Sequence, residues 1–200
     1  MNEFAKSGGL DKTAFRVFSS FEEAEAADRE YYRSLSPTER LDILLLLREF
    51  YSPYSDELTK GFERVCRIIE RLDVRFLIIG AFAVAYHGYP RYTSDIDIFV
   101  DKSAENAELL LKAIREFGFG DIGLSKEDFI HKDQVIQLGV APNRIDMMTS
   151  ISGVNFEEAW SSREFGELGK LKVPFISRDM LKRNKQATGR GQDLVDLEHL

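Results

Sequence analysis

Apolar positions follow two different periods along this chain. Up to about residue 72 they recur every three or four residues, the spacing of a helix face. Ser20-Phe21-Glu22-Glu23 has the form of a capping box, so a helix is expected from there to about residue 35. Ser36-Pro37-Thr38-Glu39 repeats the signal with proline at the first helical position. The helix it opens carries Leu41, Ile43, Leu44, Leu45, Leu46, Leu47 and Phe50, an arc wide enough to need partners on more than one side. Ser52-Pro53 ends it. A third helix over 55–72 places Phe62, Val65, Cys66, Ile68 and Ile69 at helical spacing. Residues 1–19 read as a loose tail broken at Gly8-Gly9.

Beyond residue 73 the pattern changes. The stretch 74–79 is β-branched and aromatic, a buried strand, and 81–86 is a short helix of small residues. A second strand is expected over 95–100. An amphipathic helix over 103–117 is stopped by Gly118-Phe119-Gly120. Residues 121–134 are polar and irregular, with one helical turn around Glu127. Strands over 135–140 and 144–148 are joined by Ala141-Pro142-Asn143. A short helix over 156–160, a last strand over 171–176, a helix from Ser177 to Thr188 closed by Gly189, and a final helix over 192–200 complete the chain. This order predicts an α+β fold whose core starts near residue 61, preceded by a helical N-terminal appendage. The helix at 55–72 suits either part.

Composition limits what such a chain can do. Two hundred residues with 44% hydrophobic and 30% charged content suit one folded domain, with or without a small appendage. The net charge of -7 argues against a surface that coats nucleic acid, while leaving room for a local basic groove. Cys66 is the single cysteine, so no internal disulfide forms, and its place in a helical pattern reads as a buried thiol. No apolar run approaches the roughly 18–20 residues of a membrane span. The N-terminus lacks the basic-then-apolar form of a signal peptide, so cytoplasm is the expected location and no membrane partner is expected.

The candidate chemistry lies between Leu77 and Val100. Gly80 ends a strand and opens a helix, where free backbone N–H groups and the helix dipole suit phosphate, although such junctions are also common in plain packing. Asp95 and Asp97, two apart on a strand, share one face, and Ile96 and Ile98 point the other way into a core. Two adjacent carboxylates repel unless a cation lies between them; a solvent-facing strand edge is the plain alternative. Asp146, in the alternating run Arg144-Ile145-Asp146-Met147-Met148, supplies a third acid from another strand. Three carboxylates from two strands suit two Mg²⁺ or Mn²⁺ ions, roughly 3.5–4 Å apart in two-metal sites. With three histidines in all, a histidine-based zinc site is not expected, and His87 reads as a helix-end residue bonded to a carbonyl. Arg91 and Thr93 lie on the turn into the acids, where Arg91 meets a phosphate or pairs with Asp95. From Arg178 to Arg190 there are five basic residues against one acid, either a solvated helix face or a clamp for a triphosphate or nucleic acid.

These residues resemble a known family. Gly80, a helix, Asp95-Ile96-Asp97 and a later Asp146 resemble the nucleotidyltransferase superfamily that includes DNA polymerase beta. The run from His87-Gly88 through Pro90-Arg91, Thr93 and Asp95 to Asp97 is similar to one in small bacterial nucleotidyltransferases, including those of toxin–antitoxin and phage-defence loci. Lys185, Ala187, Gly189-Arg190, Asp193 and Asp196 look like their C-terminal motif. The resemblance covers about residues 61–200. It implies a nucleotidyltransferase fold, a mixed sheet flanked by helices, with an appendage over 1–54 and the domain over 55–200. It implies that Asp95, Asp97 and Asp146 are catalytic and bind Mg²⁺ or Mn²⁺. Gly80, Ala81, Arg91, Thr93, Lys182 and Lys185 would bind the nucleotide, and Arg190, Asp193 and Asp196 would pin the last helix to the core. The implied reaction moves a nucleoside monophosphate from an NTP, ATP among them, to a hydroxyl on RNA, protein or a small molecule. A toxin–antitoxin role is one setting; an inactive nucleotidyltransferase-fold protein acting through a partner is the alternative. Ala81 departs from the family, where Ser or Gly is usual, and removes a hydroxyl that would contact the triphosphate. The helices at 20–50 lie outside the resemblance, and either pack on the core or serve oligomerisation or a cognate partner.

Overall fold

The computed structural model describes residues 20–51, 55–120, 122–139, 144–169 and 171–200. Gly8-Gly9, Ser52-Pro53 and the Ala141-Pro142-Asn143 turn lie outside them. The described residues open with helices α1 (Phe21–Ser34), α2 (Pro37–Tyr51) and α3 (Ser55–Arg71). Strand β1 (Phe76–Ile78) leads into α4 (Gly80–His87), then β2 (Asp95–Val100) and α5 (Ala104–Ile114), which loosens into a wider turn over Arg115–Phe119. Helix α6 (Glu127–Ile130), strands β3 (Val135–Leu138) and β4 (Arg144–Met148), and α7 (Phe156–Ser161) follow. Strands β5 (Glu164–Leu168) and β6 (Leu171–Phe175), then α8 (Arg178–Thr188) and α9 (Gly191–His199), end it.

The strands form one mixed sheet in the order β3-β4-β2-β1-β6-β5. Parallel pairs join β2 to β4 and β1 to β6; the other neighbours are antiparallel. The central strands β1 and β2 are apolar because helices cover them: Leu77, Ile78, Ile96, Ile98 and Val100 have no exposed surface.

Capping chemistry set the helix starts as the sequence predicts. Ser20 Oγ accepts from Glu23 N. At α2 both arms of the box close, with Glu39 N donating to Ser36 Oγ and Ser36 N donating to Glu39 Oε2. Ser36 N–H and Ser36 Oγ, both donating to Glu39 Oε2 at 2.8 Å, hold the Glu39 carboxyl below its ordinary range.

Of the two readings held open for residues 20–50, packing on the core is what α2 does. Leu41 and Leu44 are buried in the same cluster as Phe82 and the sheet. Arg40 Nε and Nη2 donate to the carbonyls of Ala85 (3.0 Å) and Tyr86 (2.6 Å), satisfying the last turn of α4. Leu41 and Leu44 thus belong to the same buried cluster as Phe62 and Val65 of α3. Cys66 is fully buried as expected, and burial pushes its thiol up to about 12.

Strand β5 has no counterpart among the expected elements. Its sequence, Glu-Phe-Gly-Glu-Leu, carries two acids and a glycine, all unfavourable to a strand by composition. It is an edge strand, where charge is tolerated. Gly166 is required by tertiary contact: a Cβ there would lie 2.5 Å from the Tyr86 ring, which stacks on Phe175 with centroids 4.4 Å apart.

Candidate functional site

Strand β2 ends the incoming turn at Asp95 and presents Asp95 and Asp97 on one face, with buried Ile96 and Ile98 on the other. Strand β4 runs parallel beside it in a register that sets Asp97 directly against Asp146, and Asp95 against Arg144. Neighbouring strands lie about 4.8 Å apart, so three acids from two strands converge. Across from them Gly80 opens α4 at φ +59, a left-handed conformation open to glycine. A Cβ at that position would lie 1.9 Å from Asp97 Oδ2. The backbone of β1's end thus lies against the carboxylate. No side chain caps α4, which leaves its first-turn N–H groups free to face the cleft lined by Ile79, Gly80 and Ala81.

This cleft has a volume of about 800 Å³. Its floor is the acid cluster, and its far wall is built from Ile151, Ser152 and Gly153 with Asn184, Lys185 and Thr188 of α8. Gly153 (φ +73) lets that turn press on α8, where Asn184 Nδ2 donates to Ser152 O at 2.9 Å.

Among the acids the electrostatics differ. Thr93 Oγ1 donates to Asp95 Oδ1 at 2.6 Å. Arg144 donates to Asp95 Oδ2 through Nη2 (2.5 Å) and to both oxygens of Asp146 through Nε (2.8 Å) and Nη2 (3.0 Å). Among the described residues no side chain donates a hydrogen bond to Asp97. Burial, then the charges of Asp95 and Asp146, push its carboxyl up to about 6, only partly offset by Arg190 and Lys185. An oxygen-only donor set with one under-compensated carboxylate fits a hard divalent cation in its chemistry. As the side chains stand, no three His, Cys, Asp or Glu groups among the described residues are close enough to ligate one ion. Arg144 fills the space between two of them.

No family model matches the chain, and no curated protein matches it. Among solved structures it is similar to a protein of Thermotoga maritima described as a "putative nucleotidyltransferase" (TM1012), with a TM-score of 0.51 and 19% identity, over 72% of this chain and 91% of that one. The chain has a nucleotidyltransferase fold.

Within the nucleotidyltransferase fold the sequence-derived residues are distributed unevenly. Asp95, Asp97, Asp146, Gly80, Ala81, Arg91, Thr93 and Lys185 all line the cleft; Lys182, one turn earlier on α8, does not. Arg91 pairs with Asp196 rather than Asp95, in a two-bond contact of 2.8 and 3.0 Å. Lys185, 4% exposed, bridges Asp193 (3.0 Å) and Asp196 (2.6 Å). Burial alone would raise the Asp196 carboxyl; hydrogen bonds from Arg91 and Lys185 outweigh it and hold the group low. The basic run is accordingly much less free than its composition suggests. Arg183 pairs with Glu158, Arg190 with Asp193, and Arg178 donates to the Leu200 carbonyl. Asp193 and Asp196 pin α9 to α8 through Lys185, and Asp196 ties it through Arg91 to the turn before β2, whereas Arg190 closes a capping box at the start of α9 itself. His87 Nε2 donates to Ile176 O at 2.7 Å, the plain helix-end role expected of it.

Two arginines escaped the sequence reading. Arg144 shares the face of Asp146 by the period of two, so the signal was present in the same five residues. Arg48 carries no such signal. It is 2% exposed in α2, donates to Thr93 O at 2.5 Å and lies over the Phe62 ring at 4.7 Å. Only the packing of α2 on the core brings it beneath the loop that holds Asp95. Among the described residues no helix is long and apolar enough to cross a membrane.

Proposed function

We propose that the protein is a metal-dependent nucleotidyltransferase that moves a nucleoside monophosphate from an NTP to an acceptor hydroxyl on RNA, protein or a small molecule. The observation that carries this reading is the parallel register of β2 and β4, which sets Asp97 against Asp146 with Asp95 alongside, facing the uncapped start of α4 across a cleft of about 800 Å³. Asp95, Asp97 and Asp146 would hold Mg²⁺ or Mn²⁺. Such an ion would supply a lowered pKa for an acceptor hydroxyl and charge neutralisation for the phosphates. The chain's own groups do the rest. The backbone N–H groups of Gly80 and Ala81 receive phosphate oxygens at the positive end of α4. Thr93 fixes the rotamer of Asp95. Asp146 accepts the proton of the acceptor hydroxyl. Asn184 and Thr188 line the wall on which a nucleoside rests. A toxin–antitoxin setting agrees with the motif resemblance at both ends of the domain.

Labelled NTPs incubated with the protein, Mg²⁺ and total cell extract test the reading. Label transfer with pyrophosphate release, lost in Asp95→Ala and Asp97→Ala variants that keep their circular dichroism, is expected. Transfer that persists in both variants refutes the site.

A second reading is a non-catalytic nucleotide-binding protein that acts through a partner. Arg144 held across Asp95 and Asp146, and an alanine at 81, favour it. Calorimetry with each NTP separates the two: nucleotide binding without metal dependence or pyrophosphate release supports this one, and absence of nucleotide binding refutes both.

A further inference from the structure

Arg144 accounts for most of the hydrogen bonding of two of the three acids. Of the four carboxylate oxygens on Asp95 and Asp146, three receive N–H groups from this one guanidinium. The fourth, Asp95 Oδ1, takes Thr93 Oγ1, and Asp146 Oδ2 also receives Gln137 Nε2 at 3.3 Å. The contact is two-bonded to Asp146 and continues to Asp95, a geometry that a planar fork of donors supplies and a lysine does not. It is built in by register, since Arg144 and Asp95 are Cα partners across β2 and β4. The side chain is 29% exposed, so it has an open route into the cleft.

We propose that Arg144 is a resident counter-cation that competes with the divalent metal for Asp95 and Asp146 and must swing out before the ion enters. This rests on reading the acid cluster as a metal site. A guanidinium and a divalent ion compete for these oxygens: three of the four already take its N–H groups, and the two positive charges repel. Arg144 is therefore a positioning residue. It offsets part of the charge of two clustered carboxylates and holds them in place while the site lacks metal, and it lowers metal affinity in doing so. A merely structural arginine predicts the opposite sign, because its loss would disorder the acids and weaken metal binding.

Mn²⁺ binding to the nucleotide-free protein, followed by the electron paramagnetic resonance signal of free Mn²⁺, reads this directly. Arg144→Met and Arg144→Gln are expected to bind Mn²⁺ about tenfold more tightly than the wild type, equivalent to roughly 1.4 kcal/mol. The wild-type protein supplies a second readout independent of variant folding: phenylglyoxal modification of Arg144, mapped by mass spectrometry, is expected to rise when Mn²⁺ is added. Unchanged or weaker Mn²⁺ binding in a folded variant overturns the proposal, as does modification of Arg144 that Mn²⁺ leaves unaltered. If the wild type binds Mn²⁺ and these results follow, the competition fails and the metal site stands. If neither wild type nor variants bind Mn²⁺, both fall.

Discussion

Gly80→Ala isolates the closest approach in the site. A Cβ there would lie 1.9 Å from Asp97 Oδ2, 2.7 Å from its Cγ and 2.9 Å from its Cβ, and the backbone sits at φ +59. Placing a side chain in that left-handed conformation costs about 1 kcal/mol. Relieving the contact forces Asp97 off its rotamer, about 0.5–1.5 kcal/mol, and because even its Cβ is too close, the strand must shift as well. The sum is about 2–4 kcal/mol, which for a chain of this size lowers Tm by roughly 4–16 °C at about 2–4 °C per kcal/mol. Two other glycines serve as controls. Gly189 has the same backbone sign (φ +65) but only Gln186 O at 3.8 Å nearby, so Gly189→Ala reports conformational strain alone, about 1 kcal/mol. Gly61, inside α3, has nothing within 4 Å, so alanine there stabilises by about 0.5–1 kcal/mol. Urea denaturation of the three variants, with Mn²⁺ titration of each, gives the comparison. Gly80→Ala is expected to cost more than Gly189→Ala and to be the one that loses Mn²⁺ affinity. Equal costs for the two, with Mn²⁺ binding intact in Gly80→Ala, would show that Asp97 yields freely and that the close approach has no role in the site.

Other perturbations follow from the same geometry. Arg48→Met keeps the packing over Phe62 but removes the donor to Thr93 O; a loss of about 1–3 kcal/mol is expected by thermal denaturation, together with weaker metal binding through Asp95. Lys185→Met removes the buried ammonium shared by Asp193 and Asp196, which keep Arg190 and Arg91 respectively, and is expected to cost about 1–3 kcal/mol, most of it restored by adding Asp193→Asn and Asp196→Asn; a single variant as stable as wild type would refute the buried pairing. The Asp97 carboxyl, at about 6, lies above its unfolded value near 3.8, so the folded state holds this proton more tightly. Its contribution is present at low pH and is lost as pH rises from about 4 through 6, with a ceiling of about 3 kcal/mol. Metal-free Asp97→Asn is therefore expected to flatten that part of the stability–pH curve, and Mg²⁺ is expected to stabilise the wild type more at pH 7.5 than at pH 5, both measured by urea denaturation.

The chain by itself determined every element type but strand β5, its fold class and the acids of the candidate site. Those features are periodic and local: capping boxes at Ser20 and Ser36, alternation through Asp95–Val100 and Arg144–Met148, a glycine between a strand and a helix. Tertiary structure decided which charges are free. Five basic residues between Arg178 and Arg190 read alike in sequence, yet Lys185 is buried between two aspartates while Lys182 lies outside the cleft. Arg91 turned to Asp196, more than a hundred residues away, and not to Asp95 four residues on. An ion pair depends on which side chains meet in space, and periodicity carries no information about that. Strand β5 pairs with β6 and sets Gly166 against the Tyr86 ring, and α2 buries Leu41 and Leu44 while Arg40 and Arg48 donate to carbonyls of the core, contacts that no local pattern carries. Register did the same for the site itself. The sequence contains Arg144 and three aspartates, and only the pairing of β2 with β4 sets the guanidinium across two of them and leaves Asp97, among the described residues, without a side-chain donor.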